Sequence, residues 1–545
     1  MSPSPRAHWL ATVAFAILVW PSAALAAPAT RTINGSGNNV ANPSWGTPGI
    51  HLLRGPSGAH YADGISALGG ATRPSPREIS NTCFAQDGST LNRRGVSDFG
   101  WTWGQFVDHD LDLTEGALEF APIAVPVGDP DMDPLNTGAV VIPFRRALAD
   151  PATGITTPRE QVNEITGYLD ASNVYGSDSG RAAWLRTFVG GRLKVTPTAQ
   201  GDLLPFNDGT IPNAGSPEAP NLSPTLFVAG DIRANEQPTL ASMHALFVRE
   251  HNWQAARIAA QSPGLGDEDI YQRARKIVIA EIQSITYEEF LPAILGSVKL
   301  PPDHGYDRRV NPGIASAFST AAFRIGHTML SPVILRLGAD GNPIPQRNLN
   351  LRDAFFAATP PMLLDHGIDP FMRGLAAQPM QELDAQVVDD VRNFLFGPPG
   401  AGGLDLIALN IQRGRDMGLP DFNTTREDYG LRRLSTFDQI TRDPRGVAEL
   451  ESLYASVDDV DLFVGLLMED DLPGAVLGET ITAILADQFA RLRDGDRFFY
   501  TRDLSGNDLA RVRATRLSTI IERNTGVRGL QKDIFHVRGR GAATR

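Results

Sequence analysis

A short polar segment, Trp101–Thr114, combines residue types that could carry out acid–base chemistry. It holds one histidine, His109, with an amide four residues before it and a carboxylate directly on each side; these are Gln105, Asp108 and Asp110. In a helix, Gln105 and His109 share one face, and each neighbouring carboxylate is rotated by about 100°. The apolar residues between them predict that this face is partly buried. A charged helix with one hydrogen-bonded histidine is the alternative.

A second segment, Thr166–Ser177, is rich in oxygen donors. The side chains of Thr166, Asp170 and Ser172, together with the carbonyl of Tyr168 and a carboxylate from elsewhere, would form the oxygen shell that Ca²⁺ prefers. The spacing is not that of an EF-hand. A Thr/Asp/Ser turn without a metal is therefore the alternative interpretation.

A third segment, Asp231–Pro238, places Arg233 three residues before Glu236, just ahead of a long helical pattern. An arginine that faces a buried site can stabilise developing negative charge, such as the charge on a departing peroxide oxygen. A solvated ion pair is the alternative, and it would contribute little to stability.

The fourth segment, Phe318–Leu330, is apolar and contains His327, with Gly326 leaving room beside it for a large flat group. This histidine could be a core residue with one hydrogen bond, or an axial haem ligand. A ligating histidine needs an acceptor for its second ring nitrogen. Asn410, a polar residue in the apolar run Leu404–Asp416, could supply it.

Helical periodicity dominates the segments that must position these residues. It extends over 239–261, 267–296, 312–330, 382–396, 404–415, 446–468 and 477–493. Strand-like alternation is confined to 333–337 and 497–501, and Gly- and Pro-rich loops are expected at 28–100, 116–150 and 196–225. The predicted fold is mainly α, a single large helical domain with very little β structure and long loops.

Composition restricts the function classes. The 545 residues carry a net charge of −13 and no basic stripe, which argues against nucleic-acid binding. Cys83 is the only cysteine, so no intrachain disulfide can form. The sequence also lacks the HExxH, GxSxG and phosphate-loop motifs, which argues against the enzyme classes that they mark.

Residues 1–26 have the pattern of a secretory signal peptide. A basic start precedes an apolar run, Trp9–Trp20, and small residues stand just before a cleavage point at Ala27. The apolar run is too short to span a bilayer. We therefore expect a secreted or periplasmic protein without stable membrane insertion.

Taken in order, the four segments resemble the animal-type haem peroxidases of the peroxidase–cyclooxygenase superfamily, such as myeloperoxidase and lactoperoxidase. The resemblance is carried by WGQFVDHDLDLT, TGYLDASNVYGS, GDIRANEQPTLASMHALFVREHN, FRIGHT and LNIQRGRDMGLPDFN, and it extends from about residue 30 to about residue 537. Without cysteine pairs, the chain resembles an exported bacterial member.

The resemblance implies a role for each reactive residue. His109 would be the distal acid–base group, Gln105 would hold waters and halide, and Arg233 would orient the peroxide and stabilise its departing oxygen. His327 would ligate the iron of haem b, with Asn410 accepting a hydrogen bond from its second ring nitrogen. Among the remaining cofactor contacts, Arg324 would lie near a haem propionate, and ester links would join haem methyl groups to Asp108 and Glu236.

The resemblance also implies a calcium site and one departure. The Ca²⁺ ligands would be Asp110, Thr166, the Tyr168 carbonyl, Asp170 and Ser172, and the ion would brace the distal helix. Gln237 stands where myeloperoxidase has a methionine bonded to a haem vinyl group. Glutamine cannot form that bond, so lactoperoxidase-like absorption and weaker chloride oxidation are expected.

The expected function is reduction of H₂O₂ with oxidation of bromide, iodide, thiocyanate or small phenolic donors. Residues 27–100 would form a loop-rich wrap of the catalytic domain, residues 101–545. One alternative is a fatty-acid dioxygenase of the same superfamily, in which a tyrosine precedes the proximal histidine by three residues; Arg324 at that position counts against it. The other is a non-catalytic, calcium-binding adhesion or matrix protein. The joint presence of Gln105, His109, Arg233, His327 and Asn410 argues against that alternative.

Overall fold

The computed structural model of the protein describes residues 30–86, 88–216, 219–399 and 402–538. Helices supply most of the regular structure in these ranges, as predicted. The predicted signal segment, residues 1–26, lies outside them. Within the described ranges, no helix is both long and apolar enough to cross a bilayer.

The α-helices are numbered in chain order. They are α1 Pro76–Cys83, α2 Phe99–Leu111, α3 Ser172–Tyr175, α4 Ser179–Trp184, α5 Pro238–Gln261, α6 Asp267–Ile285, α7 Leu291–Leu295, α8 Ser316–Thr320, α9 Thr359–His366, α10 Asp369–Ala377, α11 Asp389–Arg392, α12 Leu406–Asp416, α13 Phe422–Asp428, α14 Pro444–Leu453, α15 Leu462–Met468, α16 Glu479–Asp494, α17 Tyr500–Asp503, α18 Gly506–Ala514 and α19 Leu517–Asn524. A π-helical turn, Thr286–Phe290, joins α6 to α7. Short 3₁₀ segments occupy Ala322–His327, Leu351–Asp353, Phe356–Ala358, Phe437–Gln439 and Val457–Asp459.

The strands are short and form antiparallel pairs. They are β1 Ile50–His51, β2 Gly116–Phe120, β3 Ile123–Ala124, β4 Val141–Ile142, β5 Arg145–Ala147, β6 Val162–Asn163, β7 Val333–Ile334 and β8 Leu349–Asn350. The pairs are β1 with β6, β2 with β5, β3 with β4, and β7 with β8. The mainly α fold with little β structure is therefore confirmed.

Helix α2 and the start of α5 position most of the residues that were predicted to form the site. Helix α5 starts where the side chain of Gln237 accepts a hydrogen bond from the amide of Thr239, and proline occupies the first helical position. Helix α2 is buried along most of its length, and Trp103 and Phe106 pack against Phe247 of α5. Burial of large aromatic side chains stabilises such contacts by roughly 2–3 kcal/mol each. The core therefore fixes α2 against α5.

Several predicted elements differ from the structure. The pattern at 312–330 divides at Ala321 into α8 and the 3₁₀ segment that ends with His327. The prediction at 382–396 is mostly wrong, because the chain before α11 pairs with a distant segment, as in the bridge between Ala85 and Val387. A strand at 497–501 is also wrong, since α17 begins at Tyr500. The strand at 333–337 is confirmed in part by β7.

The N-terminal segment reaches the C-terminal part of the chain. Arg31 donates hydrogen bonds to both carboxylate oxygens of Asp496, and Asn38 donates to the same carboxylate. Such long-range contacts hold a loop-rich segment that has little regular structure of its own. The boundaries predicted at residues 26 and 100 stay predictions.

Candidate active site

A cavity of about 310 Å³ lies between α2, the start of α5 and the 3₁₀ segment Ala322–His327. It brings together side chains from all three elements, although these residues span more than 200 positions of the sequence, from Gln105 to His327. The predicted site residues that line it are Gln105, Asp108, His109, Arg233, Glu236, Arg324 and His327. Helix α12, which carries Asn410, packs behind the 3₁₀ segment.

His109 is a buried, neutral base on one side of the cavity. Its side chain is 4% exposed, Nδ1 lies 3.5 Å from Oδ1 of Asp231, and Nε2 lies 3.9 Å from Oε2 of Glu236. Burial and the nearby Arg233 guanidinium hold the pKa of His109 well below its usual value. A neutral imidazole at neutral pH can accept a proton, as acid–base chemistry requires.

Arg233 is held in one orientation beside His109. Its Nε and Nη2 donate to the two carboxylate oxygens of Asp231 at 2.9 and 2.8 Å, and Nη2 also donates to the carbonyl of Asp112 at 2.9 Å. Burial disfavours the guanidinium charge, but the Asp231 carboxylate outweighs it and raises the pKa of Arg233. The cavity therefore contains a fixed positive charge.

Two carboxyl groups, Asp108 and Glu236, border the cavity. Burial raises the pKa of both, and for Asp108 the neighbouring Asp112 carboxylate adds to that effect. Asp108 lies 4.0 Å from Nη1 of Arg233, and Glu236 accepts a hydrogen bond from Gln105 at 3.1 Å. Both groups are placed where they can reach a molecule in the cavity.

Gln105 belongs to a directional chain of hydrogen bonds. Thr239 donates through its amide and hydroxyl to Oε1 of Gln237, at 2.7 Å each. Gln237 donates to Gln105 at 3.0 Å, and Gln105 donates to Glu236 at 3.1 Å. Gln237 thus both caps α5 and orients the amide of Gln105.

His327 also lines the cavity, from the 3₁₀ segment Ala322–His327. Burial and the Arg324 guanidinium lower its pKa to about 3, so the ring is neutral and able to ligate a metal. The amide nitrogen of Asn410 lies 2.7 Å from Nδ1 of His327, and the amide oxygen of Asn410 accepts a hydrogen bond from Arg324 at 3.3 Å. In this structure the amide nitrogen of Asn410, not its oxygen, faces the ring, and the role of Asn410 as an acceptor stays a prediction. Because Arg324 can only donate, it takes the amide oxygen and leaves the nitrogen to face the imidazole.

The cavity fits a large, flat, mostly apolar group. A Cβ atom built on Gly326, next to His327, would meet no other atom within 4 Å, so there is open space beside the ring. The two histidines supply polar groups from two separate elements, α2 and the 3₁₀ segment. The walls between them are largely apolar, with side chains of Leu291, Ile294, Phe323, Leu406, Leu409 and Leu485.

Four of the five predicted calcium ligands, Asp110, Thr166, Asp170 and Ser172, lie together at the end of α2. Ser172 Oγ donates to Asp110 at 2.8 Å, and Thr166 Oγ1 donates to Asp170 at 2.9 Å. Oδ2 of Asp170 is buried and has no hydrogen-bond partner. Burial and the neighbouring Asp170 raise the pKa of Asp110 to about 8, and burial raises that of Asp170 to about 6. A divalent cation would favour both charged forms, so the oxygen donors, which include Tyr168 of the same loop, fit Ca²⁺.

The predicted calcium site combines carboxylate groups with uncharged oxygen donors. Across the described ranges, no three His, Cys, Asp or Glu side chains are grouped so that they could hold a metal. The set at the end of α2 has two carboxylates, and its remaining donors are hydroxyl and carbonyl oxygens. Such mixed oxygen shells are typical of Ca²⁺ rather than of transition metals.

Sequence reasoning gave no role to Asp231 and Asp112. Asp231 is 2% exposed and contacts both His109 and Arg233, while Oδ2 of Asp112 accepts a hydrogen bond from Ser319 at 2.5 Å. A usable signal for Asp231 was its position two residues before Arg233. Both residues were missed because their carboxylates position other side chains through hydrogen bonds. Such a role depends on distances between residues, which the sequence does not give.

A mainly helical fold whose apolar cavity is lined by a neutral histidine, a fixed arginine and a second histidine from another element is the arrangement of a haem enzyme that acts on peroxide. The sequence model of the animal haem peroxidase family matches residues 30–535, and the chain belongs to this family. It is therefore a haem-binding peroxidase, an oxidoreductase acting on peroxide.

Similar proteins cover most of the chain. Peroxinectin A of Dictyostelium discoideum is 35% identical over 93% of this chain and 95% of its own. The peroxidasin homologue of Mus musculus is 37% identical over 93% of this chain, which spans only 37% of that longer protein. The solved structure of peroxidase A from D. discoideum matches with a TM-score of 0.86 and 33% identity, over 93% of this chain and 99% of its own.

A more distant likeness concerns the fold alone. The fatty acid alpha-dioxygenase of Oryza sativa matches with a TM-score of 0.72 and 20% identity, over 91% of this chain and 84% of its own. At that identity, the chemistry of the two proteins cannot be equated. The shared feature is the helical scaffold.

Proposed function

We propose that this peroxidase uses H₂O₂ to oxidise bromide, iodide, thiocyanate and small phenolic donors. The observation that carries the proposal is the pairing of neutral His109 with the fixed charge of Arg233, in a cavity that His327 also lines. When bound through His327, haem b supplies the iron centre at which the peroxide O–O bond breaks.

His109 and Arg233 divide the proton and charge chemistry. Nε2 of His109 accepts a proton from one oxygen of H₂O₂ and delivers it to the other, which leaves as water. The guanidinium of Arg233 stabilises the negative charge that develops on the departing oxygen. Because Arg233 is already held by Asp231 and Asp112, it does not have to reorganise during this step.

The same charge distribution suits the proposed donors. Arg233 attracts small anions, Gln105 offers an amide beside them, and the apolar walls accept a phenol ring. Steady-state oxidation of bromide, thiocyanate and a simple phenol with H₂O₂ tests the proposal directly. Oxygen uptake with a polyunsaturated fatty acid, without oxidation of these donors, would instead favour a dioxygenase.

On the proximal side, His327 would be the iron ligand, and Arg324 would approach a propionate of the bound haem. For Asn410 to accept from the Nδ1 hydrogen, its amide must turn so that the oxygen faces His327. Arg324 would then have to release that oxygen. If Arg324 turned towards a propionate, it would release the amide oxygen of Asn410 for His327.

We expect Asp108 and Glu236 to become covalently attached to haem after treatment with H₂O₂. Both carboxyl groups border the cavity and are only partly exposed, and burial raises the pKa of each. Haem should then resist extraction into acid–acetone in the wild-type protein and extract fully from the double variant Asp108→Asn, Glu236→Gln. Complete extraction from treated wild-type protein would contradict the ester links. Asp208→Asn, at an exposed carboxylate, is the matched control.

Replacing Gln237 by methionine should change both stability and specificity. The variant loses the cap of α5, which lowers the free energy of unfolding by about 1 kcal/mol, and it releases the amide of Gln105. Methionine also restores the residue that binds the haem vinyl group in myeloperoxidase. We expect a red-shifted haem spectrum after H₂O₂ treatment and a higher ratio of chloride to bromide oxidation. An unchanged ratio and spectrum would show that Gln237 does not set halide preference.

We propose that Ca²⁺ binds Asp110, Thr166, Tyr168, Asp170 and Ser172. Because Asp110 directly follows His109, chelation should lower the melting temperature and also slow the reaction with H₂O₂. At a free concentration 100 times Kd, the ion stabilises the protein by about 2.7 kcal/mol. Calcium, but not magnesium, should restore both properties, since Mg²⁺ requires a tighter octahedral shell. Insensitivity to chelation, with no bound calcium by elemental analysis, would exclude the site.

A further inference from the structure

Asp231 is the carboxylate that touches both reactive side chains on the distal side of the cavity. It is 2% exposed, and its own position is fixed because its amide donates to the carbonyl of Asn173 at 3.1 Å. The amide of Arg233 donates to Oδ1 of Asp231 at 2.7 Å, which closes a tight turn between them. The carboxylate therefore has little freedom to move away from its two partners.

Its contact with Arg233 determines the plane of the guanidinium. Two parallel hydrogen bonds, from Nε and Nη2, meet the two carboxylate oxygens of Asp231, and the carbonyl of Asp112 takes a third. This bidentate geometry restricts rotation more than a single contact would. What remains free is the Nη1 edge, which lies 4.0 Å from Asp108. Arg233 therefore presents one defined edge to the cavity that it lines.

Its contact with His109 determines which ring nitrogen carries the proton. Nδ1 of His109 is buried without a hydrogen-bond partner, and Oδ1 of Asp231 lies 3.5 Å from it. A lone pair on Nδ1 would be repelled by this carboxylate, whereas an N–H group is attracted to it. The neutral ring therefore holds its hydrogen on Nδ1, and the lone pair lies on Nε2, the nitrogen on the Glu236 side of the ring.

We propose that Asp231 is the positioning residue of the peroxide reaction: it fixes the Nδ1–H tautomer of His109 and the orientation of Arg233 at the same time. The inference rests on the proposed roles of these two residues. It adds that one carboxylate couples the base to the charge-stabilising group. A purely structural ion pair would hold Arg233 without affecting proton acceptance by His109.

The test compares the haem-loaded wild-type protein with Asp231→Asn, which keeps the shape but removes the charge. We expect the second-order rate constant for H₂O₂ to fall by up to about 10⁴-fold, the effect of removing the carboxylate that orients the catalytic histidine of a serine protease. Association of cyanide, supplied as HCN, should slow similarly, because HCN also gives up a proton as it binds. The rate constant for oxidation of a simple phenol, which the apolar walls accept, should stay unchanged. Asp231→Glu should recover part of the loss, and Asp208→Asn is the matched control.

Two further measurements keep the outcomes distinct. Nitrogen-15 NMR of histidine-labelled wild-type protein should show His109 protonated at Nδ1; protonation at Nε2 overturns the proposal even if the Asp231 variant does not fold. The proposal is also overturned if the Asp231→Asn variant reacts with peroxide and cyanide as fast as the wild type while a separate Arg233→Ala variant reacts slowly. If the wild-type protein takes up haem but does not react with H₂O₂, the proposed function itself fails.

Discussion

Replacing His109 by alanine lowers the second-order rate constant for H₂O₂ by about 10²- to 10⁴-fold, the usual contribution of a positioned acid–base group. The loss follows because no neutral imidazole then remains beside Arg233, and the carboxyls that border the cavity, Asp108 and Glu236, have raised pKa values. Haem uptake should be retained, since the proposed ligand, His327, belongs to a different element of the lining. Stopped-flow absorption of the haem-loaded variant measures the rate.

The control for this variant is His304→Ala, which removes an exposed histidine and should leave the rate unchanged. A His109→Ala protein that binds haem and reacts with H₂O₂ as fast as the wild type would contradict the distal assignment. A variant that loses haem as well would show that His109 has a structural role, and the acid–base assignment would then depend on the Asp231 variants.

Replacing His327 by glycine weakens haem binding by at least about 100-fold, because even residues that only orient a metal ligand contribute 10- to 100-fold to affinity. The reason is that His327, the proposed iron ligand, lines the cavity, and its pKa of about 3 keeps the imidazole unprotonated. Haemin titration followed by absorption measures the affinity. Added imidazole should occupy the space left by the side chain and restore part of the spectrum.

The contrast between the two histidines makes this result specific. Imidazole should not restore the peroxide rate of His109→Ala to the same extent, because a freely diffusing ring is not oriented by Asp231. Equal haem affinity in wild-type and His327→Gly proteins would contradict the proximal assignment. His304→Ala serves again as the matched control.

The candidate site was largely predictable because its residues stand in short segments with distinctive spacing. Gln105 and His109 share a helix face as their four-residue separation requires, and His327 follows a glycine that opens space beside it. The long helix α5 was also predictable, since its apolar periodicity begins directly after a proline and a capping side chain. These signals lie within short segments, so they can be recognised without knowledge of the fold.

What could not be predicted depends on contacts between distant segments. The orientation of the Asn410 amide is decided by Arg324, 86 positions away, and the role of Asp231 depends on a ring 3.5 Å away on another helix. The strand expected at 497–501 failed for a related reason: Phe498, Phe499 and Tyr500 are all buried, so this run is not an alternation of buried and exposed residues. Burial of this kind is set by tertiary packing.

The most direct test of the central claim is the absorption spectrum of the protein loaded with haemin, before and after one equivalent of H₂O₂ and then after bromide or thiocyanate. We expect a Soret band that shifts on addition of peroxide and returns when the donor is added, because in our proposal the cavity binds haem through His327 and activates peroxide through His109 and Arg233. Well-folded protein that takes up no haem, or a haem spectrum that peroxide does not change, would contradict the account.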